Sequence, residues 1–384
     1  MWPGAACGVL ALLVATQGVQ AACQPRPPQD TTTPSTPASP SDEVFTTSDG
    51  VRFRVETLLT GLEVPWSLVL APDGRAFVTE RPGRVRVVDL LRGRSEIALT
   101  VQDVFAQGEG GLLGIALDPD FADTRWVYLY YTAATAAGPV NRLVRYREVG
   151  GRLGERALLL DNVPGAVIHN GGRIRFGPDE RLYISTGDAN NALLAQDLAS
   201  LAGKILRLDR DGTTPRDNPF ASPVFSYGHR NPQGFGWRPI GAEMWASEHG
   251  AAGNDEINQI RSGLNYGWPR IEGSQTMPGM ERPVAFFTPA IAPSGASFYD
   301  GRRFPGFAGD LFVATLRGMH LRRLRIDAAR RVVLDERLLE GRFGRLRDVI
   351  AGPDGHLYVL TSNRDGRGSP IADDDRILRL VPAP

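Results

Sequence analysis

One phrase returns six times between Val51 and the C-terminus, and a chain written in this way has few folds open to it. An apolar stretch ends in Pro-Asp-Gly or a relative, a second apolar stretch follows, and a third alternates arginine with aliphatic residues. The clearest copies begin at Trp66 (WSLVLAPDG, RAFVTER, RVRVVD), Gly111 (GLLGIALDPDF, WVYLYYT, NRLVRYRE) and Asn170 (NGGRIRFGPDE, RLYISTGD, KILRLDRDG). Looser copies begin at Asn231, Pro293 and Leu346. The alternation in RVRVVD, KILRLD and HLRRLRI has the period of a strand, and Pro-Asp-Gly is turn chemistry, with proline presetting one dihedral and glycine accepting positive φ. Copies spaced by roughly 40–60 residues match propeller blades. The chain is therefore expected to be all-β, a six-bladed β-propeller of four-stranded antiparallel blades. The stretch Val51 to Leu59 (VRFRVETLL) precedes the first copy and is expected to supply the outer strand of the last blade, closing the ring. With 44 glycines and 29 prolines, long helices are not expected.

The 43 basic residues balance the 43 acidic ones, which argues against nucleic acid as a partner. Lys204 is the only lysine and lies in a strand pattern, which removes most Schiff-base and P-loop chemistry and gives it a structural role. Both cysteines, Cys7 and Cys23, precede the repeats, so the folded part has neither disulfide nor thiolate metal site. Residues 1–22 read as a signal peptide, with a short apolar run from Ala5 to Thr16 that no basic residue precedes. Cleavage before Cys23 would leave a lipid-anchored N-terminus, although Gln20 stands where leucine is usual; cleavage after Ala21 or Ala22 would be ordinary secretion. Export, to the periplasm or to a membrane-anchored lipoprotein, is common to both. Residues 23–43, rich in Pro, Thr and Ser, form a flexible tether, and residues 44–384 form the propeller.

The polar signals fall between the copies, where the loops of one propeller face converge. They include Gly108-Glu109-Gly110-Gly111, His169-Asn170-Gly171-Gly172-Arg173, Gly187-Asp188, the GHRNPQG run around Arg230, SEHG through His249, NDEIN through Glu256, and the RLRD run around Arg347. In this order and spacing, HxGGRI…GPD…GD, GHRNPQG, SEHG…NDEIN and RLRDVIAGPDG resemble the soluble PQQ-dependent glucose and aldose sugar dehydrogenases, the glucose/sorbosone dehydrogenase family. The resemblance runs from about Leu62 to Val381.

That resemblance implies an enzyme that oxidises aldose sugars at C1 to the lactone, using pyrroloquinoline quinone (PQQ) and calcium. His169 matches the family's general base, and the antiparallel strands joined by the Pro178-Asp179 turn bring Asp188 to the same edge, where a carboxylate orients the imidazole. Arg230, Asn231, Arg345 and Arg347 match cofactor contacts, and period-two spacing sends the guanidiniums of Arg345 and Arg347 to one face. Arg317 falls where the family often has lysine. Arg322, Arg323 and Arg325 read instead as solvated strand residues. The carbonyls of Gly250 and Ala251 match the calcium ligands at the cofactor, and Glu256 with the Tyr266 carbonyl matches a second, structural calcium site. Two positions depart from the glucose enzymes. Glu109 and His249 stand where those have glutamine, and a carboxylate at 109 beside an anionic cofactor requires protonation or pairing. The expected partners are a sugar substrate and an external electron acceptor, a quinone or a cytochrome; short loops point to a monomer of the compact aldose-dehydrogenase branch. Two other functions fit a propeller: a calcium-dependent lactonase, which needs clustered acidic ligands, and a cofactor-free extracellular binding propeller.

Overall fold

The computed structural model describes Met1 and residues 43–384. The expected signal peptide, the Cys23 cleavage and nearly all of the tether lie outside the described residues. Among the described residues, no helix is long and apolar enough to cross a membrane.

Six antiparallel sheets make the ring. Their inner strands are Pro65–Leu70, Leu112–Leu117, Ile174–Phe176, Pro232–Trp237, Pro293–Phe298 and Leu346–Ala351, which open blades I to VI and fall within each predicted copy. Inner strands of successive blades are neighbours, except that the inner strand of blade IV meets the second strand of blade III, Leu182–Thr186, and the sixth returns to the first. Blade I shows how sequence becomes sheet. Pro72-Asp73-Gly74 turns the chain, with Gly74 at φ +85° and its N–H on Ala71 O at 3.0 Å. Arg75–Glu80 then pairs back along Pro65–Leu70.

Ring closure follows the expectation. Arg52–Leu59 pairs with Ile377–Pro382 as the outer strand of blade VI, so the two ends of the propeller share one sheet. That sheet carries a fifth, two-residue strand, Phe45–Thr46, beside it. Alternate residues of each strand fill the gaps between blades: Phe77, Ile115, Val127 and Tyr131 between blades I and II, and Phe53, Tyr299, Phe312 and Val359 where blades V and VI meet.

Two arginine clusters hold charge inside this apolar frame. Arg323 is fully buried against Asp310 (2.6 Å), Asp49 (2.7 Å) and Glu336 (3.2 Å). This corrects the expectation of a solvated strand residue, because the segment before the closing strand folds over it and delivers Asp49. Arg325 shares Asp310, and Arg322 pairs with Asp335 while lying over Phe287. At the ring centre, Arg173 is 1% exposed. It donates to Asp348 Oδ2 and Ser67 Oγ, both at 2.8 Å, and to Gln233 O at 3.0 Å, and lies over Trp66. Lys204 is structural as expected: its buried ammonium donates to the carbonyls of Leu194, Ala195 and Ala202, and burial lowers its pKa to about 8.

Removing one member of a buried pair costs about 3–5 kcal/mol, since the other charge is left without compensation. Urea denaturation of Arg173→Met should show a loss of about that size. Adding Asp348→Asn, which keeps an acceptor for the Leu68 N–H, should recover part of it. Equal stability of Arg173→Met and wild type would contradict a central role for this pair.

Candidate active site

Within each blade the inner strand and the second strand are antiparallel neighbours. Residues just before an inner strand and just after a second strand therefore share one face of the ring. Glu109, His169, Asp188, Arg230, Asn231, His249, Gly250, Ala251, Arg317 and Arg345 all hold such positions, and Arg347 is the second residue of its inner strand. Between the third and fourth strands of blade IV the chain climbs back to this mouth, where Tyr266 N–H donates to Tyr227 O and Trp268 N–H to Gly228 O.

The HxGG…GD motif has a steric cause. A Cβ on Gly187 would run into the His169 carbonyl, and one on Gly171 would meet the Ser185 carbonyl. Only glycines let the ends of the two strands approach so closely. His169 itself sits at φ +60°, a conformation rarely held by a residue with a side chain. The result is a contact of 2.8 Å between His169 Nδ1 and Asp188 Oδ1. Asp188 also accepts from Trp268 Nε1 at 2.8 Å and from the Asn190 N–H. With the carboxylate serving as acceptor for three donors, the neutral tautomer that fits this contact has its proton on Nδ1 and its lone pair on Nε2.

Glu109 is paired, as its position requires. It accepts the His169 N–H at 3.1 Å, Asn231 Nδ2 at 3.3 Å and Arg367 Nη1 at 3.1 Å. Burial pushes its carboxyl up, but the field of His249, the His169 N–H and Arg367 outweigh that and hold it at about 2. Asn231 is fully buried, with its amide divided between Glu109 and the Gly171 N–H. Among the described residues His249 Nε2 has no partner, and burial lowers the imidazole's pKa against the pull of Glu109 and Asp255.

The arginines divide into committed and uncommitted cations. Arg345 grips Asp365 with Nε and Nη2 at 2.9 and 2.7 Å and donates Nη1 to Leu316 O. Arg347 turns to the same carboxylate at 3.9 Å and donates to Gln233 Oε1 at 2.7 Å, so the pair does share a face. Burial brings the Arg347 pKa down to about 9 despite Asp365, and its Nε is unpaired. Arg230 lies 5.3 Å over Trp268 with its Nε unpaired, while Glu248 holds its backbone N–H and the buried His229. Arg317 stands apart. Its exposed side chain lines a groove with Phe286, Phe287 and Ile291, and among the described residues no bond joins it to the cluster. Sequence reasoning flagged the segment of Trp268 without giving it a role, and missed Asp365 and Arg367. The last two follow the second strand of blade VI, a position in the repeat that could have flagged them.

For a hard cation, the Gly250, Ala251 and Tyr266 carbonyls accept no hydrogen bond among the described residues. Burial, then the field of Glu248, raises the Glu256 carboxyl to about 8, and beside it Asn258 Oδ1 is buried without a partner. These oxygens suit calcium. Among the described residues, no three His, Cys, Asp or Glu side chains gather as a metal cluster.

Fold and mouth together define a class: a six-bladed propeller presenting a histidine–carboxylate pair and partly unpaired guanidiniums at one mouth of the ring. The chain belongs to the glucose/sorbosone dehydrogenase family, whose model matches residues 62–378. It is 35% identical to aldose sugar dehydrogenase YliI of Escherichia coli K12, over 82% of this chain and 91% of that one. Quinoprotein glucose dehydrogenase B of Acinetobacter calcoaceticus is 27% identical over 91% and 92% of the two chains. The solved PQQ-bound form of aldose sugar dehydrogenase from Streptomyces coelicolor is 41% identical, covers 90% of this chain and 99% of its own, and superposes with a TM-score of 0.78.

A carboxyl held low stabilises the fold above its unfolded value, near 4.5, and loses that contribution as pH falls toward 2. Glu109→Gln should therefore cost about 2–3 kcal/mol at pH 6, with the gap to wild type closing as acid unfolding approaches pH 2. A gap independent of pH, measured by chemical denaturation, would contradict the paired carboxylate.

Proposed function

We propose that this chain is a PQQ- and calcium-dependent aldose sugar dehydrogenase that oxidises the sugar C1 hydroxyl to the lactone. One observation carries the reading. His169 is held by Asp188 through Nδ1, at a mouth where buried nitrogens of Arg230, Arg347 and His249 lack partners among the described residues. Unmet guanidinium donors suit a ligand with several carboxylates, and PQQ has three. Arg230 and Arg347 would hold the cofactor, and Arg345, already committed to Asp365, braces the second of them. The Gly250 and Ala251 carbonyls would hold the calcium beside it; Glu256 and Tyr266 would hold a second. When bound, the quinone supplies the acceptor for the hydride leaving sugar C1.

The chain's own part is proton removal and orientation. The proton of the C1 hydroxyl passes to His169 Nε2 while the C–H pair leaves as hydride, so the substrate loses two electrons and two hydrogens in all. Asp188 stabilises the imidazolium that forms, and Trp268 fixes Asp188 through its second oxygen. The external acceptor of the electrons, a quinone or a cytochrome, belongs to the same reading. So does export, which the leader and tether support, with the lipid anchor at Cys23 as one form of it. The lactonase alternative lacks the clustered acidic ligands it needs among the described residues.

Apoprotein reconstituted with PQQ and calcium should reduce a dye in the presence of glucose. His169→Gln should lower turnover about 10²–10⁴-fold while still binding PQQ; equal turnover would remove His169 from the base role. Calcium should raise the melting temperature of the apoprotein, and Glu256→Gln should lose most of that gain. The same gain in both proteins would contradict the Glu256 site.

A further inference from the structure

Arg81 leaves the second strand of blade I and enters the mouth between blades VI and II. Its backbone is fixed from both sides: its N–H donates to Val64 O at 3.0 Å, and its carbonyl accepts the Leu112 N–H at 2.9 Å. Gly111, at φ +142°, presses on the stem so closely that a Cβ there would run into Arg81 Cγ and the Arg81 carbonyl. The side chain thus projects from a rigid base. It is half-buried, yet among the described residues its guanidinium makes no hydrogen bond, ion pair or ring contact.

The carboxylates that share its field are already taken. Asp365 is gripped twice by Arg345, and Glu109 is divided among Arg367, Asn231 and the His169 N–H. Arg81, Arg345, Arg347 and Arg367 interact electrostatically around these two acids, so four guanidiniums face two carboxylates. A guanidinium partly removed from water without a counterion is stabilised by an anion that completes its fork. We propose that Arg81 is an additional anion-receiving residue of this mouth, which grips a carboxylate of the bound ligand. That carboxylate has two possible sources, the tricarboxylate quinone or an acidic sugar such as a uronate. The first source rests on the quinoprotein reading above; the second does not.

The test titrates the apoproteins of wild type, Arg81→Gln and Arg81→Lys with PQQ and, separately, with glucuronate, by calorimetry. If the cofactor is the source, Arg81→Gln should weaken PQQ binding about ten- to a hundredfold, with partial recovery in Arg81→Lys, which keeps the charge but not the fork. If an acidic sugar is the source, the same loss should appear for glucuronate while PQQ affinity holds. Should Arg81→Gln fail to fold, Arg81→Lys carries the test with a smaller expected loss. Variants that match wild type in both titrations overturn this inference alone. A wild type that binds glucuronate but no PQQ contradicts the quinoprotein reading instead, and one that binds neither contradicts both.

Discussion

Four of the six inner strands meet at one buried guanidinium. Arg173 belongs to the strand-entry segment of blade III, and its partners come from blade I (Ser67), blade IV (the Gln233 carbonyl) and blade VI (Asp348). A charge this deep in the ring is tolerable only when paired and hydrogen-bonded, so a slip of register in any of these strands would strand it. Hydrophobic packing between blades favours a closed ring in general terms; this ion pair ties particular residues of four blades to one another. The side chains one step nearer the mouth inherit that alignment. Gln233 places Arg347, and Arg347 shares Asp365 with Arg345.

The mouth concentrates what the rest of the fold avoids. His169 sits at positive φ, Glu256 is an acid raised by burial and then by Glu248, and Arg230 and Arg347 hold buried nitrogens with no acceptor among the described residues. Each feature costs free energy of folding on its own, and each lies where a ligand would offset it. His229 and Glu248 show the contrast. They too are a histidine and an acid 19 residues apart near the mouth, yet His229 is fully buried between Glu248 and Ser226, and the residue of blade IV that stands where His169 does, just before the asparagine opening the copy, is Arg230. A histidine–carboxylate pair thus presents its imidazole at the mouth in blade III and serves packing in blade IV.

Much of this was legible in the sequence. Strands were readable because arginine alternates with aliphatic residues in several third strands and turn residues bound the rest, and the closing strand was readable because VRFRVETLL stands outside the repeat count. The His169–Asp188 pair followed from antiparallel register alone. Arg367 and Asp365, and the role of Trp268, escaped because these residues lie in loops without periodicity whose path is set by distant bonds. Arg323 misled for a different reason. An arginine alternating with aliphatic residues faces away from its own sheet's core, but nothing local reveals that Asp49 will cover that side. At Glu109 the sequence posed an electrostatic problem, and its solution, Arg367, comes from the far end of the chain.

The central claim is that the histidine–carboxylate pair and the unpaired guanidiniums serve one ligand cluster. A crystal structure of the protein soaked with PQQ, calcium and a sugar tests it most directly. The account predicts the sugar C1 hydroxyl within hydrogen-bond distance of His169 Nε2 and cofactor carboxylates on Arg230 and Arg347. A cofactor bound elsewhere, or a sugar whose C1 lies out of reach of that nitrogen, would contradict it.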